Sequence, residues 1–201
     1  HDILKATHLK HHAHTNDPDN DPDFFHGNAK NWWEAAVNVN VSYNEDGPAL
    51  KAIEKHVEED PKFKEALEKG GAWALLFYFA QIILAILYPL ETLLLWWIPK
   101  RVATSYLGIV FSYFPHSGLG KGRYTDTRFW TNKMPRFLNH SMQIHSMHHM
   151  YPRICHYDEA RAIEALKPFM IERGMPGAEY IPEKLRWNPV TYIKEVYFGG
   201  R

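Results

Sequence analysis

The 201-residue, 23.5 kDa chain carries 23 basic and 23 acidic side chains, and a formal net charge of zero argues against an electrostatic nucleic-acid binder. Cys155 is the single cysteine, which excludes an intrachain disulfide framework. The mean hydropathy of −0.42 is that of a soluble protein, yet thirteen histidines are a large excess and the apolar residues crowd into the middle of the chain.

The chain starts at His1 without an initiator Met, which predicts that a preceding piece was removed or left out, and it opens on no signal peptide. His8-Leu-Lys-His11-His12-Ala-His14 comes first. Asn16 to Asp23 follows as alternating Asp, Asn and Pro, and it cannot continue a helix because each Pro disfavours helical geometry in its predecessor. The alternating Asp are suggestive of a calcium loop, but Pro22 stands where the sixth-position Gly belongs and Asn28 where the twelfth-position Glu belongs. A helix stop plus turn is the better reading. Phe24-Phe25 and Trp32-Trp33 look like interfacial anchors. Lys51 to Lys69, with Ile53, Val57 and Leu67 among many charges, predicts an amphipathic helix. His26 and His56 are expected to be solvated.

Charge falls into three zones. Residues 1–70 hold 8 basic and 14 acidic groups, residues 71–114 only Glu91, Lys100 and Arg101, and residues 115–201 hold 13 basic and 8 acidic groups. A neutral average therefore hides an apolar centre. Gly71 to Pro99 is roughly 43 Å long as helix, more than the ~30 Å hydrocarbon core of a bilayer needs. Val102 to Pro115 adds about 21 Å. Two partitions fit: a long tilted helix that turns at Pro99-Lys100-Arg101, or a break at Pro89 with a second helix starting near Thr92 and kinked at Pro99. The second places Lys100 and Arg101 in or near the bilayer, which is costly unless they reach the interface. Either makes a helical hairpin with both ends on one side. Twenty-one of the 23 basic residues lie outside the hairpin, so the positive-inside tendency makes that side cytoplasmic.

The last segment carries His145-Ser-Met-His148-His149 and, beyond Pro168, a tail in which Pro176, Pro182 and Pro189 alternate with aromatics, expected to be irregular and cytosolic. Both histidine clusters read HxxHH. On a helix, positions i, i+3 and i+4 share a face, so each cluster aims its imidazoles the same way. Nitrogen donors in this number suit iron, copper or zinc rather than calcium or magnesium, and six histidines exceed one tetrahedral site, so two metals are expected.

These residues resemble a known family. Thr7 to Asp23 looks like the second histidine box of membrane fatty acid desaturases and their carotenoid-hydroxylase relatives, and His145 to Ile154 like the third box with its trailing Tyr-Pro. Phe114-Pro115-His116 and the Arg123–Arg128 segment resemble the end of the last membrane helix, which supplies another ligand. The resemblance covers about residues 7–154 and is closer to the hydroxylase-like bacterial branch than to acyl-CoA desaturases. It implies two non-haem iron ions held by His8, His11, His12, His116, His145, His148 and His149, with O2 as co-substrate. His14, Asn139, His140, His156 and Asp126 are candidates for an extra ligand or a contact behind the ligands, and Asp158 and Glu159 are further carboxylates near the boxes. Ser112 stands where family members often have Asp or Asn. The family's first box and first two membrane helices are not found in the sequence, so the chain reads as the C-terminal two thirds of an enzyme, or one whose partner chain completes the ligand set.

The expected fold is all-α: an integral membrane helical hairpin with a cytosolic helical cap that carries the histidine boxes. It forms a single desaturase-like domain over 1–201, with 1–70 cytosolic, 71–115 the hairpin and 116–201 cytosolic. The expected activity is O2-dependent hydroxylation or desaturation of an unactivated C–H bond in a lipophilic substrate, an acyl lipid or a carotenoid, at a bacterial cytoplasmic membrane with the metal site on the cytoplasmic face. Without a haem module, GxGxxG or CxxC, electrons are expected from a separate ferredoxin or reductase; an oligomer is compatible with this. The rival readings are an inactive or accessory metal-binding membrane subunit, and a soluble histidine-rich metal store. His148→Ala abolishes iron binding only under the di-iron reading.

Overall fold

The computed structural model describes residues 2–129, 142–155 and 158–181. All regular structure among these is helical. The chain divides into two compact units, His1–Ile109 and Val110–Arg201.

The first unit opens with α1, Asp2–His14, which carries the first histidine cluster. The Asn16–Asp23 segment ends it as a turn: Asn16 takes φ +60°, and the Asp21 carboxylate accepts the backbone N–H groups of Asn16 (2.9 Å) and Asp23 (2.8 Å). Asp and Asn hydrogen-bond their own backbone in this way, which makes them turn formers rather than helix formers. A short α2, Phe24–Gly27, leads to α3, Trp32–Val41, whose start is fixed by Asn31 accepting from the Glu34 N–H (2.9 Å) while Glu34 accepts from the Lys30 N–H (2.8 Å).

The expected single helix over Lys51–Lys69 is divided instead into α4, Pro48–Glu59, and α5, Pro61–Leu87. Pro61 is the reason. It forces Asp60 into an extended conformation (φ −130°, ψ 100°), and Asp60 then caps α5 by accepting from the N–H groups of Lys62 and Phe63. Lys10 donates to the same carboxylate at 2.8 Å, tying α1 to this corner, and Gly70 lets Ile3 of α1 lie against α5. Beyond Gly70 the large apolar side chains of α5, from Trp73 to Leu87, are exposed. By length and composition α5 is able to cross a membrane.

The apolar run breaks at Tyr88 (φ −138°, ψ 65°) as in the second of the two partitions, but helix resumes at Pro89 itself rather than near Thr92, because proline is well suited to the first helical turn. α6, Pro89–Thr92, passes through a widened π-turn, Leu93–Trp97, into α7, Ile98–Leu107. A second π-turn, Gly108–Tyr113, leads into α8, Phe114–His116. Each widened turn lies just before a proline, Pro99 and Pro115, whose ring would clash with a carbonyl of the preceding helical turn and which offers no N–H to it. There is thus no reversal at Pro99-Lys100-Arg101. Arg101 is accommodated within α7 by lying over the Trp97 ring (5.3 Å) and donating to the backbone and side-chain oxygens of Asn40 on α3 (3.2 Å each).

α3 packs on α7 through small and polar groups. Asn40 donates to the Ser105 hydroxyl (2.8 Å), Ser105 donates to the Ala36 carbonyl (3.0 Å), and Val39 sits over Gly108. A Cβ at Gly108 would stand 2.7 Å from a Val39 methyl and 2.8 Å from its Cβ, which a β-branched side chain cannot yield. Gly108→Ala is therefore expected to cost about 1–3 kcal/mol in a denaturant titration, with Val39→Ala restoring part of it.

In the second unit, Phe129, Met147, Ile163, Met170, Met175, Ala178 and Ile181 form a buried core. Met147 comes from α9, His145–Met150, and Ile163 and Met170 from α10, Glu159–Glu172. Two backbone bonds anchor the α8 end: Arg128 N–H to the Pro115 carbonyl (2.9 Å) and Phe129 N–H to the Pro176 carbonyl (2.8 Å). The approach at Phe129 requires glycine at 177, which has φ +81° and where a Cβ would fall 1.9 Å from the Phe129 oxygen. Gly177→Ala is expected to destabilise this unit by more than the ~1–3 kcal/mol of a strained backbone alone, read by thermal unfolding.

Candidate metal centre

On α1 the HxxHH spacing brings the first and last histidines together: His8 Nε2 and His12 Nε2 are 3.1 Å apart. His11, three residues after His8, turns from that pair into a buried contact, its Nδ1 lying 2.8 Å from Asp21 Oδ1. As the carboxylate accepts, His11 Nδ1 carries the hydrogen and Nε2 keeps its lone pair. Asp21 is thus held by the turn and in turn holds His11.

The second unit repeats the geometry. His149 Nε2 lies 3.0 Å from His145 Nε2 on α9, while Met147 and Met150 on the other side of the helix pack on the core. His116, from α8, joins them with ring centroids 4.9 Å from His149 and 5.4 Å from His145. Its Nδ1 donates to the Asp126 carbonyl at 3.1 Å, which leaves Nε2 as the ligating nitrogen. The three side chains each offer a nitrogen within 4.8 Å of the others. His148 stacks on His145 at 5.4 Å.

Two nitrogens each about 2.1 Å from one ion and about 90° apart are separated by about 3.0 Å, so both i, i+4 pairs have the spacing of two ligands on one ion. The donor set is imidazole, which suits iron, copper and zinc. At His8, electrostatics favour the neutral, ligating form. Burial lowers the His8 pKa, the nearby His11 lowers it further, and Asp23 opposes them. Burial pushes the Asp23 carboxyl up, but its hydrogen bond to His26, the charges of His11 and His26, and the Tyr43 hydroxyl (3.1 Å) outweigh this and hold it well below the usual carboxylate range.

The family model for fatty acid desaturase matches residues 1–180, and the chain belongs to that family. The family is membrane-bound and carries out oxidoreductase chemistry. No curated protein and no solved structure matches the chain.

The remaining expected residues are distributed more widely. His14 stacks on His56 at 5.2 Å, away from the His8–His12 contact. Asp126 meets His116 through its backbone oxygen. Asp158 pairs with Arg161 at 3.6 Å, and Glu159 opens α10. Asn139, His140 and His156 lie outside the described residues. Two expectations are corrected: His26 and His56 are buried, each 2% exposed, rather than solvated. His56 shares the inner face of α4 with Ala49 and Ala52 and is satisfied through Nε2 by the Asn20 carbonyl (2.7 Å), while His26 lies 3.5 Å from Asp23. Asp21 was not among the residues the sequence singled out. The one signal it carried was its place in an Asp-rich turn directly after a histidine helix.

Proposed function

We propose that the chain is a membrane-embedded di-iron oxygenase that hydroxylates or desaturates an unactivated C–H position of a lipophilic substrate, an acyl lipid or a carotenoid. The observation that carries this reading is the repeated i, i+4 imidazole contact, 3.1 Å on α1 and 3.0 Å on α9, in a chain of the fatty acid desaturase family. His8, His11, His12, His116, His145, His148 and His149 would hold the two irons. When bound, the irons supply dioxygen activation with two electrons from a separate ferredoxin or reductase.

The chain's own residues prepare for that chemistry. Asp21 and the Asp126 carbonyl hold the Nδ1–H tautomers of His11 and His116, so each ring presents Nε2 in a fixed direction. Met147 and the second unit's core fix the register of α9 and hence the paired His145 and His149. The apolar surface of α5 and α7 supports delivery of substrate from within the bilayer, and the long run of exposed apolar side chains is what a lipid-facing helix carries. Membrane fractionation tests this placement. The chain should stay in the pellet through high salt and alkaline carbonate and leave it only with detergent, whereas a soluble metal store would be released by salt alone.

A further inference from the structure

We infer that α3 is an in-plane membrane helix, lying on the bilayer surface with its apolar edge in the boundary between headgroups and hydrocarbon. The inference rests on the membrane-embedded reading of α5 and α7 and adds a second, non-spanning contact with lipid.

Trp33, Val37 and Val41 follow one another at i, i+4 and i+8, so they form one stripe along the helix, and they are 65%, 48% and 42% exposed. Ala35, Ala36 and Asn38 are buried on the other side. A helix whose β-branched and indole side chains face out while its alanines face in is inverted for a water-exposed surface and suited to an apolar one. The flanks are polar, with Lys30, Asn31 and Glu34 at the start, so the apolar edge is bounded as an interfacial helix requires.

Continuity within the first unit selects lipid as the occupant. α3 is bonded to α7 through Asn40, Ser105 and the Ala36 carbonyl, and the apolar surface of α7 continues past this contact in Val102, 63% exposed. Arg101 sets the level. A guanidinium on an apolar helix is stable where it reaches the interface, and here it donates to the Asn40 carbonyl near the C-terminal end of α3 while its carbon lies 5.3 Å over the Trp97 ring. The negative end of the α3 dipole is thereby held beside the cation that marks the membrane boundary.

Nitroxide labels test the placement. Val37→Cys, Val41→Cys, Ile83→Cys and Lys51→Cys are each made in a Cys155→Ser chain, labelled, and reconstituted in phosphatidylcholine vesicles. Collision with oxygen, which partitions into lipid, is compared with collision with a water-soluble nickel complex. The expected result is oxygen exceeding nickel several-fold at 37 and 41, at a shallower depth than at 83, with the reverse at 51 on the exposed side of α4. Water-like labels at 37 and 41 with a lipid-buried label at 83 would overturn the α3 placement and leave the membrane reading standing. Exclusion of both reagents at 37 and 41 would mean a protein cover and would overturn it as well. A water-like label at 83 would remove the membrane reading itself.

Discussion

His149→Ala is expected to remove at least one iron per chain and abolish O2-dependent turnover. His149 stands at the centre of the second unit's cluster, 3.0 Å from the His145 nitrogen and with its ring 4.9 Å from that of His116, so its loss leaves two imidazoles where three converge. Metal sites of this kind tolerate loss of a ligand poorly because the remaining donors were positioned around it. The fold should survive, since α9 is anchored by Met147 and Met150 on its other side. Iron analysis of detergent-purified protein beside its helical circular dichroism separates the two effects. His14→Ala serves as the contrast: its ring stacks on His56 rather than on the His8–His12 pair, so iron content should be unchanged. Equal iron in the His149 variant and the parent would contradict the assignment.

Asp21→Asn is expected to lower metal affinity by about 10–100-fold, the usual effect of losing a partner behind a ligating histidine. The asparagine amide still accepts a backbone N–H of the turn, but it does not hold the His11 imidazole through a charge-assisted bond, and its NH2 group competes for the same nitrogen. A chelator competition reads the affinity. The metal-free protein should also lose about 1–3 kcal/mol, because the amide has one oxygen for the two buried N–H groups of the turn, so affinity is compared below the thermal midpoint of each variant; Asp21→Glu should not restore affinity, because the longer side chain cannot keep both the turn and the 2.8 Å contact. Unchanged affinity in Asp21→Asn would mean that the carboxylate serves the turn alone.

What could be read from the sequence was whatever depends on period and composition. The two HxxHH clusters are local, and on a helix the i, i+4 members meet without any tertiary help, as His8–His12 and His145–His149 do. The Tyr88–Pro89 break was legible as one of two partitions, because proline leaves few backbone choices; the group that receives the Arg101 cation, Asn40, lies sixty-one residues away, where no periodicity displays it. The same is true of the burial of His56, which rests on a carbonyl thirty-six residues distant. The division of the Lys51–Lys69 region lay in plain sight at Asp60-Pro61, where the amphipathic pattern on both sides outweighed the breaker between them. Asp21 was hidden for another reason: its local duty in the turn explains it fully, and only the geometry discloses the second duty toward His11.

Metal stoichiometry is the decisive measurement for the di-iron centre. The full chain, purified in detergent and loaded anaerobically with ferrous iron, should hold two irons per chain and consume O2 only when a reductant and a lipid substrate are both present. A single zinc, or no bound metal, in folded protein would contradict a di-iron centre.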